Sequence, residues 1–412
     1  MMIKWRLQDP SEFPSETQPH SQQDVVDSPA KREFVFTIIP SPSTPSSAIM
    51  LRRNSDSPMP GRPGPTRIYA LLMLLFLQGC SRDEPVPADG NVRVNAADRT
   101  VVVYSALDEE FARPILDQLG RRLGLKVVAK FDIESTKTVG LTNALIEESP
   151  RPRCDLFWNN EILNTLRLKR RNLLEPFRVR HSDDLPEPFR DPDGQWYGFA
   201  ARARILLVNT RLVAEKDHPS SIHALEDPRW KGKVAIAKPL FGTTATHAAC
   251  LFSVWGDERA RAFFESIKSN QVQVLSGNRQ VAKAVGDGSV WIGLTDTDDA
   301  IGELEAGSPV AIIYPDRRPG ELGTLFIPNT LALIRRAPHP EAAAILADAI
   351  LSPEVEGSLA EGPSAQIPLL RSTKSPARVE TTRSVQAMEV DFEKAAELWE
   401  QVAEFLAELF AD

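Results

Sequence analysis

Cysteine is scarce in this chain. There are three in 412 residues, Cys80, Cys154 and Cys250, and no Cys-x-x-Cys pair. That argues against a thiolate zinc site. Cys154 and Cys250 either pair in an oxidising compartment or stand as two buried free thiols, in effect small apolar residues. The six histidines are scattered and none lies four residues from another. His-Glu-x-x-His and Gly-x-Ser-x-Gly are both absent, so the sequence shows no paired nucleophile and base. No long basic run occurs and the formal net charge is -8, which argues against a nucleic-acid partner.

Proline is plentiful, at 33, and much of it falls early. Residues 1–58 are rich in Ser, Pro, Asp and Gln without sustained periodicity. Such a segment buries too little apolar surface to offset its ordering entropy, and disorder is expected. Residues 59–80 then read as a secretory leader. Arg62 and Arg67 supply the positive region, and Ile68 to Leu77 the apolar one, too short to span a bilayer. Leu77-Gln78-Gly79-Cys80 resembles a bacterial lipobox, with Cys80 the lipidated residue. Because leaders begin near the N-terminus, translation is expected to start at Met59 or Met50, leaving 1–58 as an extension. Residues 81–99, polar and carrying Pro85 and Pro87, read as a tether.

From Thr100 the 42% apolar content suffices for two sizeable cores. Val101 to Tyr104, Lys126 to Ala129 and Cys154 to Trp158 read as strands. Helical spacing falls between them, at Phe111, Ile115, Leu116 and Leu119 and again up to Glu148. This alternation predicts an open, mostly parallel α/β sheet. Lys233 to Ala237, Val272 to Val274 and the run from Val290 repeat the theme. Trp196 to Asn209 and Thr324 to Arg335 read as strands crossing between lobes, and Phe392 to Leu409 as a terminal amphipathic helix.

Polar residues gather at the strand exits, where open α/β sheets bind ligands. They are Ser105 and Asp108, Asn160 and Glu161, and the acidic corner Thr295-Asp296-Thr297-Asp298-Asp299. Carboxylates at the end of a buried strand need a counter-charge. The plain alternative is that one of the three caps the next helix. Gly242-Thr243-Thr244 stands at an expected helix start, where backbone N–H groups either bind an anion or are simply capped. Arg202 and Arg204 share a strand face and either reach the cleft or pair with the acidic corner. Trp158, Trp196 and Tyr104 read as core.

The order of Val103-Tyr104-Ser105, Asp155 to Glu161, Tyr197-Gly198 to Asn209, Trp230 to Val234, Gly242-Thr243-Thr244, Gly286-Asp287-Gly288 and Ser352-Pro353-Glu354 resembles the extracellular solute-binding lipoproteins of bacterial ABC importers. It is most similar to their ferric-iron branch, over about Val101 to Leu370. The resemblance implies the two-lobed periplasmic-binding-protein fold, each lobe an open, mostly parallel sheet flanked by helices, with the ligand cleft between lobes. Lobe 1 would comprise 100–202 and 324–371, lobe 2 203–323, and 372–412 a linker and the terminal helix. It also implies a monomeric non-enzyme, lipid-anchored at the periplasmic or cell-surface face of a membrane, serving an inner-membrane ABC permease by hinge closure. The branch's iron ligands, a His, a Glu and two adjacent Tyr, fall on Asp108, Asn160 (or Glu161 with a one-residue slip), Asp298 and Asp299. None of the four is kept.

The replacements are still oxygen donors, suited to hard cations or to an organic ammonium. The expected ligand-binding set is Ser105, Asp108, Asn160, Glu161, Gly242, Thr243, Thr244, Thr295, Asp296, Asp298 and Asp299, with Asp108, Asp298 and Asp299 on any metal. The expected cargo is a small cationic or metal–anion ligand, ferric iron or another metal cation with its anion, and no catalytic cofactor. Alternatives are a phosphorylated or aminophosphonate-like solute, a metal-dependent hydrolase on the same architecture, and an interaction protein acting through its terminal helix.

Overall fold

Residues 99–132 and 138–411 are described in a computed structural model of the chain. The expected extension 1–58, the leader with Cys80 and the tether up to residue 98 lie outside the described residues.

β1 (Thr100–Ser105), β2 (Lys126–Phe131) and β3 (Leu156–Asn159) run parallel, linked by α1 (Glu109–Leu123) and α2 (Val139–Glu147). α3 (Leu163–Arg170) and the short β4 (Leu174–Glu175) follow, and then the long β5 (Trp196–Asn209). A second parallel set comprises β6 (Val234–Ala237), β7 (Gln273–Leu275) and β8 (Ile292–Asp296), with α4 (Gly242–Trp255), α5 (Asp257–Ser269) and α6 (Asn278–Gly286) between its strands. α7 (Thr297–Glu305), β9 (Val310–Ile313), β10 (Phe326–Ile334), α8 (Pro340–Ile350), α9 (Pro353–Glu361) and α10 (Phe392–Leu409) complete the chain.

The strand order is β2-β1-β3-β10-β5-β8-β6-β7, with β4 added on β10 and β9 on β5. β5 belongs to both halves. Trp196 to Ala203 pair with β10, and Arg204 to Asn209 pair with β8 and β9. Each half is parallel but for one crossing strand, β10 in the first and β5 in the second.

Side chains alternate across this sheet and both faces are covered, which is why the strands read as unbroken apolar runs. Val101, Val103, Leu156, Trp158, Ile205 and Leu207 join one core with α1, α6, α8 and α9. Tyr104, Phe157, Leu206 and Val208 join the other, with α2, α3, α4, α5 and α10. Trp158 packs on Phe199 with ring centroids 5.3 Å apart, and Trp196 is buried, so both are core residues. Cys154 and Cys250 are buried free thiols. Gly293 lets α6 lie on β8, since a Cβ there would stand 2.5 Å from Val281 Cγ1.

Candidate functional site

The exits of β1, β3, β6 and β8 face one cleft lined mostly by polar residues. Leu107, Asp108, Asn160 and Arg202 line it from the first half. Lys238, Phe241, Gly242, Thr243, Asn278, Asp296, Asp298 and Asp299 line it from the second.

The acidic corner is held by two buried arginines from β5. Arg204 is fully buried. Its Nη1 donates to Asp296 Oδ1 at 2.7 Å, Asn278 Oδ1 at 3.1 Å and Thr243 Oγ1 at 3.2 Å. The other oxygen of Asp296 accepts from Thr243 Oγ1 at 2.5 Å and Asn278 Nδ2 at 2.9 Å. Arg202 Nε donates to Asp298 Oδ2 at 3.0 Å, and its Nη1 donates to the Asn160 carbonyl. Burial alone would lower the Arg202 pKa, but the charges of Asp298 and Asp296 raise it. Of the two fates open to these arginines, pairing with the corner is the one observed. Buried pairs of this kind are dear to desolvate and strongly position their members.

Asp296, Asp298 and Asp299 each offer a carboxylate oxygen within 4.8 Å of the others, the right chemistry for a hard cation. Asp108 lies across the cleft, joined to this side through Arg279. The Arg279 Nη2 is 3.4 Å from Asp108 Oδ2 and 2.5 Å from Glu110 Oε1, and its Nε is 3.9 Å from Asp299 Oδ1. The start of α4 adjoins the carboxylates, Thr243 Oγ1 donating to Asp296. Phe241 occupies its N-cap without a side-chain cap bond, and Gly242 adopts φ 56°, a left-handed conformation that glycine takes freely. Its first N–H groups and dipole therefore favour an anion. Arg202 Nη2 and Asn160 Oδ1 are buried polar atoms without a hydrogen-bond partner.

The cleft thus brings together Asp108, Asn160, Gly242, Thr243, Asp296, Asp298 and Asp299. Ser105, Glu161, Thr244 and Thr295, also expected there, do not line it. Ser105 Oγ donates to the Leu107 carbonyl, and Thr295 Oγ1 to that of Asn278. Thr244 Oγ1 braces Asn278 Oδ1 from behind. Glu161 is buried and caps α3, accepting from the backbone of Leu163 at 2.5 Å and Asn164 at 3.0 Å, and from Thr246 Oγ1 at 2.7 Å. Of the three carboxylates placed to cap the next helix, Asp298 accepts from the Asp299 N–H in its first turn at 3.2 Å. Asp296 sits at the N-cap of α7, but its side chain makes no cap bond because Arg204 holds it. Sequence reasoning missed Lys238, Asn278 and Arg279. Lys238 follows β6 directly, so the strand-exit rule applied there would have found it.

Residues 160–394 match the model of a family described as bacterial extracellular solute-binding protein, and the chain belongs to that family, whose members bind solutes rather than transform them. The hydrolase alternative is thereby set aside. Iron uptake protein A2 of Synechocystis sp. is 25% identical over 298 residues, covering 70% of this chain and 83% of that protein. Among solved structures, iron-bound HitA from Pseudomonas aeruginosa superposes with a TM-score of 0.67 at 20% identity, covering 76% of this chain and 99% of that one. AfuA from Actinobacillus pleuropneumoniae with fructose-6-phosphate bound gives 0.67 at 18% identity, covering 75% and 98%. These likenesses establish the periplasmic-binding-protein fold.

Proposed function

We propose that this chain is the extracytoplasmic component of an ABC importer, lipid-anchored through Cys80, and that it captures a metal ion together with its accompanying anion for an inner-membrane permease. The observation that carries this is the pairing of oppositely charged subsites in one cleft. Three clustered carboxylates stand beside an uncapped helix start and the unpartnered Arg202 Nη2. Asp296 and Asp298 are already paired with guanidinium groups. A bare cation must compete with those charges, whereas a metal arriving with its anion brings a counter-charge for Arg202. The named iron proteins among its relatives support the same cargo.

Capture works by hinge closure about the crossings of β5 and β10, the ligand favouring the closed state by its contacts to both sides. Ferric citrate added at about a hundredfold excess over Kd should raise wild-type stability by about 2.7 kcal/mol, read as a thermal shift. Replacing Asp298 and Asp299 together with Ala should abolish that shift, and an undiminished shift refutes the site. The second reading, a phosphorylated solute, is favoured by two cationic side chains, Lys238 and Arg202, on the cleft wall. Native mass spectrometry of protein purified without added ligand, paired with elemental analysis, separates the two by finding iron or phosphorus.

A further inference from the structure

Arg279 belongs to α6 in the second half of the molecule, yet it reaches acidic groups on both sides of the cleft. On the far side it meets Asp108, the N-cap residue of α1, at 3.4 Å and Glu110 in the first turn of α1 at 2.5 Å. On its own side it stands 3.9 Å from Asp299, which belongs to the carboxylate cluster. Asp299 belongs to the observed carboxylate cluster, and Asp108 is the further metal ligand expected from the sequence. A guanidinium is rigid, permanently charged and multidentate, so one such group can satisfy carboxylates from two directions at once. It is half-exposed, at 55% of its side chain, and therefore free to swing out when displaced.

We propose that Arg279 is a displaceable counter-cation of the cleft, in addition to the buried Arg202 and Arg204. It spans the mouth, holds the two sides together when no ligand is bound, and selects against bare cations by making them compete for Asp108 and Asp299. The inference rests on the cleft being the binding site. Its physical content is electrostatic. Arg279 places one positive charge among the carboxylates that would bind a metal, where it both repels an incoming cation and screens the repulsion between Asp108 and Asp299. Removing the charge should strengthen hard-cation binding and loosen the ligand-free form. A lysine retains the charge and should retain both effects. Because the group is half-exposed, salt should weaken its hold.

The test uses La³⁺ as the probe, a hard cation that seeks oxygen ligands, titrated calorimetrically into the full chain at low salt. Arg279→Gln should bind La³⁺ roughly tenfold tighter than wild type, and Arg279→Lys should stay near wild type. Small-angle scattering of ligand-free protein should give a larger radius of gyration for Arg279→Gln alone. Equal La³⁺ affinity in wild type and Arg279→Gln overturns the proposal, as does an equal gain in Arg279→Lys. Adding Asp298→Asn and Asp299→Asn to Arg279→Gln should erase the gain, and a gain that persists overturns the proposal by placing the ion elsewhere. The ferric citrate shift of otherwise wild-type Asp298 and Asp299 variants reports separately on the cleft itself, so failure of either idea is recognisable.

Discussion

His247 shows how the residues behind the cleft are tuned. It lies on α4 one turn beyond Thr243, almost wholly buried, and neither ring nitrogen has a hydrogen-bond partner. Its surroundings are apolar, among them Ile222, Leu225, Ile236, Phe263 and Leu294. Burial, and after it the charge of Arg204, pushes the His247 pKa well below the ordinary value. The folded chain therefore keeps this ring neutral while the unfolded chain protonates it near pH 6.5. Its contribution to stability is present above that pH and is lost as pH falls below it, by up to about 1.4 kcal/mol per pH unit. His247→Leu should remove this slope, and should also raise stability near neutrality by about 1 kcal/mol by deleting two unpartnered nitrogens. Urea unfolding at about pH 7.5 and pH 5 checks both, and a wild-type-like slope in the variant refutes the assignment. At this scale the sequence was legible where chemistry follows from position. Asp296, Asp298 and Asp299 stand at the end of β8, as their place after an apolar run implies. It was illegible where two neighbours compete. Asn160 and Glu161 both suit a strand exit, and only tertiary packing, with Thr246 and the N-terminus of α3 beneath Glu161, decides that Glu161 turns inward.

Among elements, α10 is the one whose role changed most. Its spacing of Phe392, Ala395, Trp399, Val402, Leu406 and Leu409 marks an apolar face, of which the first five are buried and Leu409 is half-buried. The face is docked, so the reading of α10 as a free partner-binding helix is corrected. It lies on α3 through ion pairs of Glu393 with Lys169 at 2.8 Å and Glu397 with Arg170 at 2.7 Å. It lies on α4 and α5 through Phe405 against Phe252, with ring centroids 5.9 Å apart, and through Gln401 Nε2 donating to Asp257 at 3.2 Å. α3 follows a strand of the first half and α4 a strand of the second, so one helix braces both behind the cleft. The exposed ion pairs are worth little each, and the apolar face supplies the docking energy. Trp399→Ala should lower stability by about 3–5 kcal/mol, measured as a fall in the urea midpoint, whereas Glu397→Ala should stay within about 0.5 kcal/mol of wild type. Long periodic elements such as α10 and β5 were readable because their pattern repeats over several turns or pleats. α3 was missed because its eight residues hold only two turns and end in Lys-Arg, which reads as surface loop.

The molecule as a whole turns on the two crossing strands. β5 bends at Ala200, whose φ of 43° lies in the left-handed region. Opposite it, the β5–β10 register slips between Ile327 and Asn329. The sequence placed the crossings near residues 200 and 325 but gave no hint of what fixes their bend. Glu356 of α9 does so, fully buried and bonded to the backbone of Ala200. Its Oε1 accepts from the Ala200 and Leu369 backbone N–H groups, both at 2.9 Å, and its Oε2 accepts from Leu370 N–H at 2.9 Å and Thr373 Oγ1 at 2.8 Å. Four donors on one carboxylate require an acceptor at every position. Glu356→Gln keeps the shape but turns an amide N–H₂ towards two of those donors, so stability should fall by about 1–3 kcal/mol. A merely structural loss would end there. A bend-fixing role predicts more, because Ala200 N–H is then released at the crossing where the proposed hinge lies. Hydrogen exchange at Ala200 should accelerate more than at core strand amides such as Val103, and the ligand-free radius of gyration should rise while the ferric citrate-bound value stays unchanged. Uniform acceleration of exchange across the sheet, with no change in ligand-free dimensions, would reduce Glu356 to a stabilising buried acid and leave the bend to the backbone of Ala200 itself.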